Sequence, residues 1–105
     1  MNQIQKVGVL GAGVMGGGIA QVCATAGFDV VVYDIDPAAL AAGHEHATTG
    51  RYGLDSGVER GKLSREDADG AAARLTFSEE FAAAAQADLV IEAVPERLDL
   101  KIRVF

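Results

Sequence analysis

An α/β fold on a doubly wound parallel sheet is predicted by three features of this chain. Val7-Gly8-Val9-Leu10 is a short apolar run, as suits a central parallel strand covered on both faces. It passes directly into Gly11-Ala12-Gly13-Val14-Met15-Gly16, after which apolar residues recur at helical spacing. A second, β-branched run then begins at Asp29 and ends in Asp34, 21 residues beyond Gly13. Strand, glycine turn, helix, strand and acid thus follow one another in register, and two later runs continue the alternation.

In G-x-G-x-x-G each glycine has a physical task. Gly11 makes a tight turn, Gly13 lets the backbone approach a pyrophosphate with no Cβ in the way, and Gly16 lets the helix pack close to the strand. The helix N-terminus, with unpaired N–H groups and a partial positive charge, points at the anion. Three glycines at this spacing mean little in a chain holding 13 of them. Asp34 supplies the context. An acid at the end of the second strand accepts hydrogen bonds from the adenine ribose hydroxyls, and it repels the 2′-phosphate of NADP. The motif therefore predicts an NAD site; the plainer role for Asp34 is to start the turn before Pro37.

The first strand is predicted over 7–10 and the first helix from Val14 to about Ala26. Met15, Ile19, Val22, Cys23 and Ala26 form one apolar face, expected to lie on the sheet. Gly17 and Gly18 each cost about 1 kcal/mol of helix propensity relative to Ala, so close approach of a strand or the cofactor is expected there. Gly27 stops the helix. Asp36 as N-cap and Pro37 at the first helical position start a second helix running to about Thr49. His44 and His46 stand two apart on it, on different faces, with no ligand partner at suitable spacing. They read as solvated, and no metal site is expected.

Between Gly50 and Gly70 two helical stretches join at Gly61-Lys62, the second capped by Ser64. The hairpin, spanning about 50–72, is an insertion into a plain dinucleotide fold. Arg60 and Lys62 near its tip suit either solvent or an anionic ligand. Arg74 to Phe77 is a third strand, about Glu79 to Gln86 an Ala-rich helix anchored by Phe81, and Leu89 to Val94 a fourth strand that Pro95 ends. Right-handed crossovers give the spatial order 3-2-1-4. Ligands bind at the switch point between strands 1 and 4, so Ala93, Val94 and Glu96 should border the crevice that holds Gly11 to Gly16. Glu96 reads equally as a first-turn acid or as a neighbour of the nicotinamide. Arg97 to Phe105 is predicted to be a helix just under way, with no stop signal.

At 105 residues the chain has room for one half of a doubly wound domain and a little more, so an incomplete domain is expected. No apolar run approaches the ~18 residues of a membrane span and no signal-peptide pattern opens the chain, which points to a cytoplasmic protein without a membrane partner. The net charge of −6 argues against nucleic acid. Cys23 is alone, falls on the apolar helix face, and reads as a buried structural thiol.

Gly11 to Ala20, Tyr33-Asp34, the hairpin segment Glu59-Arg-Gly-Lys-Leu-Ser64, and Asp88-Leu-Val-Ile-Glu-Ala-Val-Pro-Glu96 with Lys101 and Val104-Phe105 together resemble the start of the 3-hydroxyacyl-CoA dehydrogenase family. The bacterial 3-hydroxybutyryl-CoA enzymes are the nearest likeness. The resemblance covers nearly the whole chain. It implies a Rossmann-type domain and NAD-dependent interconversion of an L-3-hydroxyacyl-CoA and its 3-oxoacyl-CoA. By motif position it implies Gly11, Ala12, Gly13, Val14, Met15 and Gly16 on the pyrophosphate, Asp34 on the ribose, and Ala93, Glu96 and Lys101 around the nicotinamide side. Family members also carry a catalytic His–Glu pair with Ser and Asn helpers, and a helical C-terminal domain that dimerises and closes the substrate site. These correspond to positions beyond Phe105, so no catalytic residue is expected in this chain, and the parent protein is expected to be a homo-oligomer acting on an acyl-CoA. The competing readings are a dehydrogenase of the same superfamily acting on a non-CoA substrate, one of the 6-phosphogluconate type, and a non-catalytic NAD-binding module.

Overall fold

The computed structural model describes residues 4–94 and 99–105. Its centre is β1 (Lys6–Leu10), whose Val7 and Val9 are almost wholly buried. Parallel partners flank it on both sides: β2 (Asp29–Tyr33), with Val7 opposite Val30 and Leu10 opposite Tyr33, and β4 (Leu89–Val94), with Val7 opposite Leu89 and Leu10 opposite Glu92. A third parallel pairing sets β3 (Leu75–Ser78) outside β2, with Val30 opposite Leu75. The predicted order 3-2-1-4 is what the sheet shows, extended by a fifth strand to β3-β2-β1-β4-β5.

That fifth strand corrects the reading of the C-terminal segment. β5 (Asp99–Val104) runs antiparallel to β4, with Leu89 opposite Val104 and Val94 opposite Asp99. The sequence alone predicts a helix under way over 97–105, of which Arg97 and Leu98 lie outside the described residues. The reason for the strand lies in the period: Leu100, Ile102 and Val104 alternate with Asp99, Lys101 and Arg103, a two-residue repeat that suits a strand. An antiparallel neighbour needs only a short connection, and four residues separate β4 from β5.

α1 (Gly13–Thr25) turns Gly16, Gly17, Ala20 and Ala24, all buried, toward the sheet and the helix beside it. The predicted apolar face is displaced from this position: Met15, Ile19 and Cys23 are half-buried at its flank, and Val22 and Ala26 are exposed. Small residues win because they bring the helix axis nearer to its neighbours, burying backbone that larger side chains would hold away. The compensation for Gly17 is likewise a helix and not a strand or cofactor. A Cβ on Gly17 would run into the Gly43 carbonyl of α2 (Pro37–Ala47). Gly18 meets only the His46 ring, 3.6 Å from where its Cβ would stand.

α2 starts as expected. The Asp36 carboxylate accepts from the Ala38 amide at 3.0 Å, with Pro37 in the first turn. His44 is exposed and edge-on to Phe77 at 5.3 Å between ring centroids, whereas His46 is half-buried against α1 and not simply solvated. The hairpin is α3 (Leu54–Glu59) and α4 (Arg65–Ala73), with Ser64 accepting from the Asp67 amide at 3.0 Å. It packs into the domain: Leu54, Ala68 and Ala71 belong to the central core, with Val58 and Leu63 packed against it. α5 (Phe81–Ala85) lies against β1 and β2. Its expected anchor, Phe81, is half-exposed and meets Tyr33 edge-on at 5.3 Å, while Ala84 is the buried residue.

Two backbone amides, those of Gln5 and Lys6, donate to a single Asp88 carboxylate oxygen at 3.0 Å each. These bonds tie the start of β1 to the start of β4. They hold the Asp88 carboxyl below the usual carboxylate range, because hydrogen bonds from backbone N–H favour its charged form.

Candidate functional site

The carboxyl ends of β1, β2 and β4 converge on the glycine turn. Leu10 ends β1, and the next residue, Gly11, takes a left-handed φ of +105° while its amide donates to the Tyr33 carbonyl at 2.8 Å. A Cβ on Gly11 would run into the Ala93 carbonyl of β4. The turn is therefore held between the two strands that flank β1, as only a glycine permits. Gly13 is also left-handed, at φ +81°, yet nothing lies within 4 Å of where its Cβ would be. This is an open cradle. Gly16 sits directly above the turn, where a Cβ would meet the Gly11 carbonyl first and the Val9 side chain only at 3.7 Å. Its close approach is thus to the turn more than to the strand.

α1 begins here with Ala12 as N-cap, no side chain capping it and no acid in its first turn. The first amides of a helix lack intrahelical partners, so these donors and the positive end of the helix dipole are directed into the space beside Gly13. At 13 residues α1 has a full dipole.

Asp34 follows β2 and turns back toward the loop. One carboxylate oxygen accepts from the Ala12 amide at 2.9 Å, and the other accepts from the Asp36 amide at 2.9 Å. One oxygen thus starts the turn before Pro37, the plainer of the two expected roles, and the other holds the glycine loop.

Of the residues expected around the pyrophosphate, Gly11, Ala12 and Gly13 form the turn into α1, and Gly16 lies in α1 above it. Val14 is exposed and Met15 half-buried, both in the first turn of α1. Ala93 is buried against Gly11. Lys101 stands opposite Glu92 in the β4–β5 register, and Glu92 opposite Leu10, so the Lys101 backbone is level with the end of β1. Glu96 lies outside the described residues. Sequence reasoning missed Gly43, whose Cβ would stand 3.1 Å from the Gly13 amide nitrogen, so that α2 backs the glycine turn. A glycine midway along a helix was the available signal. It also missed Glu92, on β4 beside Leu10, whose carboxylate lies 3.2 Å from the Arg103 guanidinium.

Away from this crevice, the hairpin and α1 enclose a cleft of about 250 Å³ whose lining includes Gln21, Tyr52, Ser56, Arg60 and Lys62. The Arg51 and Arg60 guanidiniums stand 5.4 and 5.5 Å from the Tyr52 ring centre, within cation–π range. Burial pushes the Cys23 thiol up from its ordinary value, which suits a structural thiol over a nucleophile. No cluster of three metal-ligating side chains and no helix long and apolar enough to cross a membrane occur among the described residues.

The arrangement can hold a dinucleotide: a cradle free of Cβ atoms, uncapped helix amides, and an oriented carboxylate at the end of β2. Comparison with known proteins gives the same direction. The family described as "3-hydroxyacyl-CoA dehydrogenase, NAD binding domain" matches residues 6–105. The chain is 43% identical to 3-hydroxyadipyl-CoA dehydrogenase of Escherichia coli K12 over 107 aligned residues, covering 100% of this chain and 22% of that protein. It is 39% identical to 3-hydroxybutyryl-CoA dehydrogenase of Mycobacterium tuberculosis H37Rv, covering 97% of this chain and 35% of that protein. Among solved structures, 3-hydroxybutyryl-CoA dehydrogenase from Escherichia coli K12 superposes with a TM-score of 0.80 at 43% identity, over 91% of this chain and 20% of that one. M. tuberculosis FadB2 gives 0.79 at 40% identity, over 90% and 32%. The chain thus spans between a fifth and about a third of the length of these relatives. With its glycine turn, its switch point and its acid in place, the chain belongs to the NAD-binding domain family of the 3-hydroxyacyl-CoA dehydrogenases.

Proposed function

We propose that this chain is the cofactor-holding part of an NAD-dependent oxidoreductase that interconverts an L-3-hydroxyacyl-CoA, such as 3-hydroxybutyryl-CoA, and its 3-oxoacyl-CoA. The observation that carries the reading is the uncapped N-terminus of α1 opening beside left-handed Gly13. In this reading the amides of the Gly11–Gly16 turn hold the pyrophosphate, with Val14 and Met15 in the helix turn against it, and Asp34 accepts from the adenine ribose. Ala93, Glu96 and Lys101 border the nicotinamide. Bound NAD supplies the hydride acceptor. The chain's own work is to bind it, orient it and present one face of the ring to a substrate site. Residues 1–105 are then the N-terminal part of a Rossmann domain, with helical insertion about 50–72, and catalysis and dimerisation belong to a following domain, as the resemblance implies. A cytoplasmic setting and a homo-oligomeric parent, without nucleic-acid or membrane partners, complete the reading.

The test uses the full-length protein. Calorimetry should show NAD binding at least tenfold tighter than NADP, and 3-hydroxybutyryl-CoA should be oxidised with NADH appearing at 340 nm. NAD binding with turnover only of a non-CoA hydroxyacid would replace the substrate class; binding with no turnover of either would leave a non-catalytic module.

A further inference from the structure

The Asp34 carboxylate is engaged on both oxygens before any cofactor is bound. Ala12 is 4% exposed, and its amide donates to Asp34 at 2.9 Å in a part-buried hydrogen bond. The neighbouring Gly11 amide is taken by the Tyr33 carbonyl. Asp34 in turn is fixed from its other side by the Asp36 amide, also at 2.9 Å. The end of β2 therefore grips the glycine turn at two successive amides, one through a main-chain carbonyl and one through a side chain. A buried donor without an acceptor is costly, so without this carboxylate the Ala12 amide would have to turn outward, and the turn with it.

We propose that Asp34 is a positioning residue for the pyrophosphate turn as well as an acceptor for the ribose, and that the Asp34–Ala12 bond holds the loop in its binding geometry in the free protein. This rests on the NAD reading above for the pyrophosphate and the ribose, while the Asp34–Ala12 bond itself does not depend on it. A carboxylate has roughly four acceptor sites. Two are used internally, which leaves two, already oriented, for ribose hydroxyls. Ordering the acid and ordering the loop are then one event, completed during folding, and the cofactor does not have to bring it about. Substitution of Asp34 to admit NADP would remove the charge that repels the 2′-phosphate and would also release the turn.

Inorganic pyrophosphate separates the two roles, because it reaches the turn but carries no ribose. In the full-length protein, Asp34→Ser is expected to weaken pyrophosphate, measured as a competitor of NAD, at least fivefold. Asp34→Asn, which keeps one carbonyl acceptor, should fall between it and wild type. With no cofactor present, amide hydrogen exchange at Ala12 should be slow in wild type and at least tenfold faster in Asp34→Ser. Pyrophosphate affinity and Ala12 exchange within twofold of wild type, with NAD weakened, would overturn the proposal and leave a ribose contact only. Unprotected exchange at Ala12 in wild type would overturn it without any variant. Protection at Ala12 that depends on Asp34, in a protein that binds no NAD, would support the clamp and defeat the cofactor reading instead.

Discussion

Gly11 is the residue at which conformation and space impose the same requirement. Its φ of +105° is strained for any side chain, and a Cβ would collide with the Ala93 carbonyl. Gly11→Ala should therefore cost about 1–3 kcal/mol of stability and push β4 away from the turn, lowering NAD affinity together with the melting temperature. Gly13→Ala differs. Its φ of +81° carries the strain but the space beside it is open, so the expected stability loss is smaller, about 1–2 kcal/mol, while the loss of NAD affinity is at least as large because the new methyl occupies the cradle. Calorimetric titration beside thermal melts of both variants checks the contrast, which fails if Gly13→Ala binds NAD as wild type does.

At the scale of elements, α1 shows why hydrophobicity alone misplaces a helix. Its large apolar residues at Met15, Ile19, Val22 and Cys23 form the conspicuous stripe, yet the side that meets sheet and α2 is Gly16, Gly17, Ala20 and Ala24. Packing at that side is backbone to backbone, with Gly17 against Gly43. Gly17→Val should separate α1 from α2 and cost about 1–3 kcal/mol as an overpacked contact, read as a lower urea midpoint. β5 offers a second prediction. An antiparallel edge strand bonds its neighbour through every other amide, so hydrogen exchange across 99–104 should alternate between slow and fast. Continuous protection from residue to residue would instead mark the helix that sequence reasoning expected.

On the scale of the whole molecule, the β1 and β4 ends opposite the cofactor crevice are joined by Asp88, which accepts from the Gln5 and Lys6 amides. Its folded pKa is depressed by those two bonds. The stability it contributes is therefore fully present above the unfolded aspartate value and is lost as pH falls through the lower, folded one. Acid titration of wild type should show this loss at the low end of the carboxylate range. In Asp88→Asn the corresponding part of the pH dependence should vanish, leaving a flatter profile of melting temperature against pH.

Much of this was legible in the sequence because it depends on local rules. Buried strands announce themselves as β-branched runs, Asp36-Pro37 and Ser64 as caps, the Gly11–Gly16 spacing as a turn into a helix, and right-handed crossovers as the order 3-2-1-4. The placement of Asp34, 21 residues after Gly13, followed from the length of one strand–helix–strand unit. What tertiary structure alone decided were the contacts between residues distant in the chain. Those include which side of α1 is buried, the Gly17–Gly43 approach, the docking of the hairpin into the core through Leu54, Ala68 and Ala71, and the double engagement of Asp34. The segment at 99–104 lies between these cases: its alternation was present in the sequence, but a strand needs a free edge to pair with, and β4 supplied it. Periodicity reports a segment's relation to its own neighbours, whereas the partner that fills each face is set by three-dimensional packing.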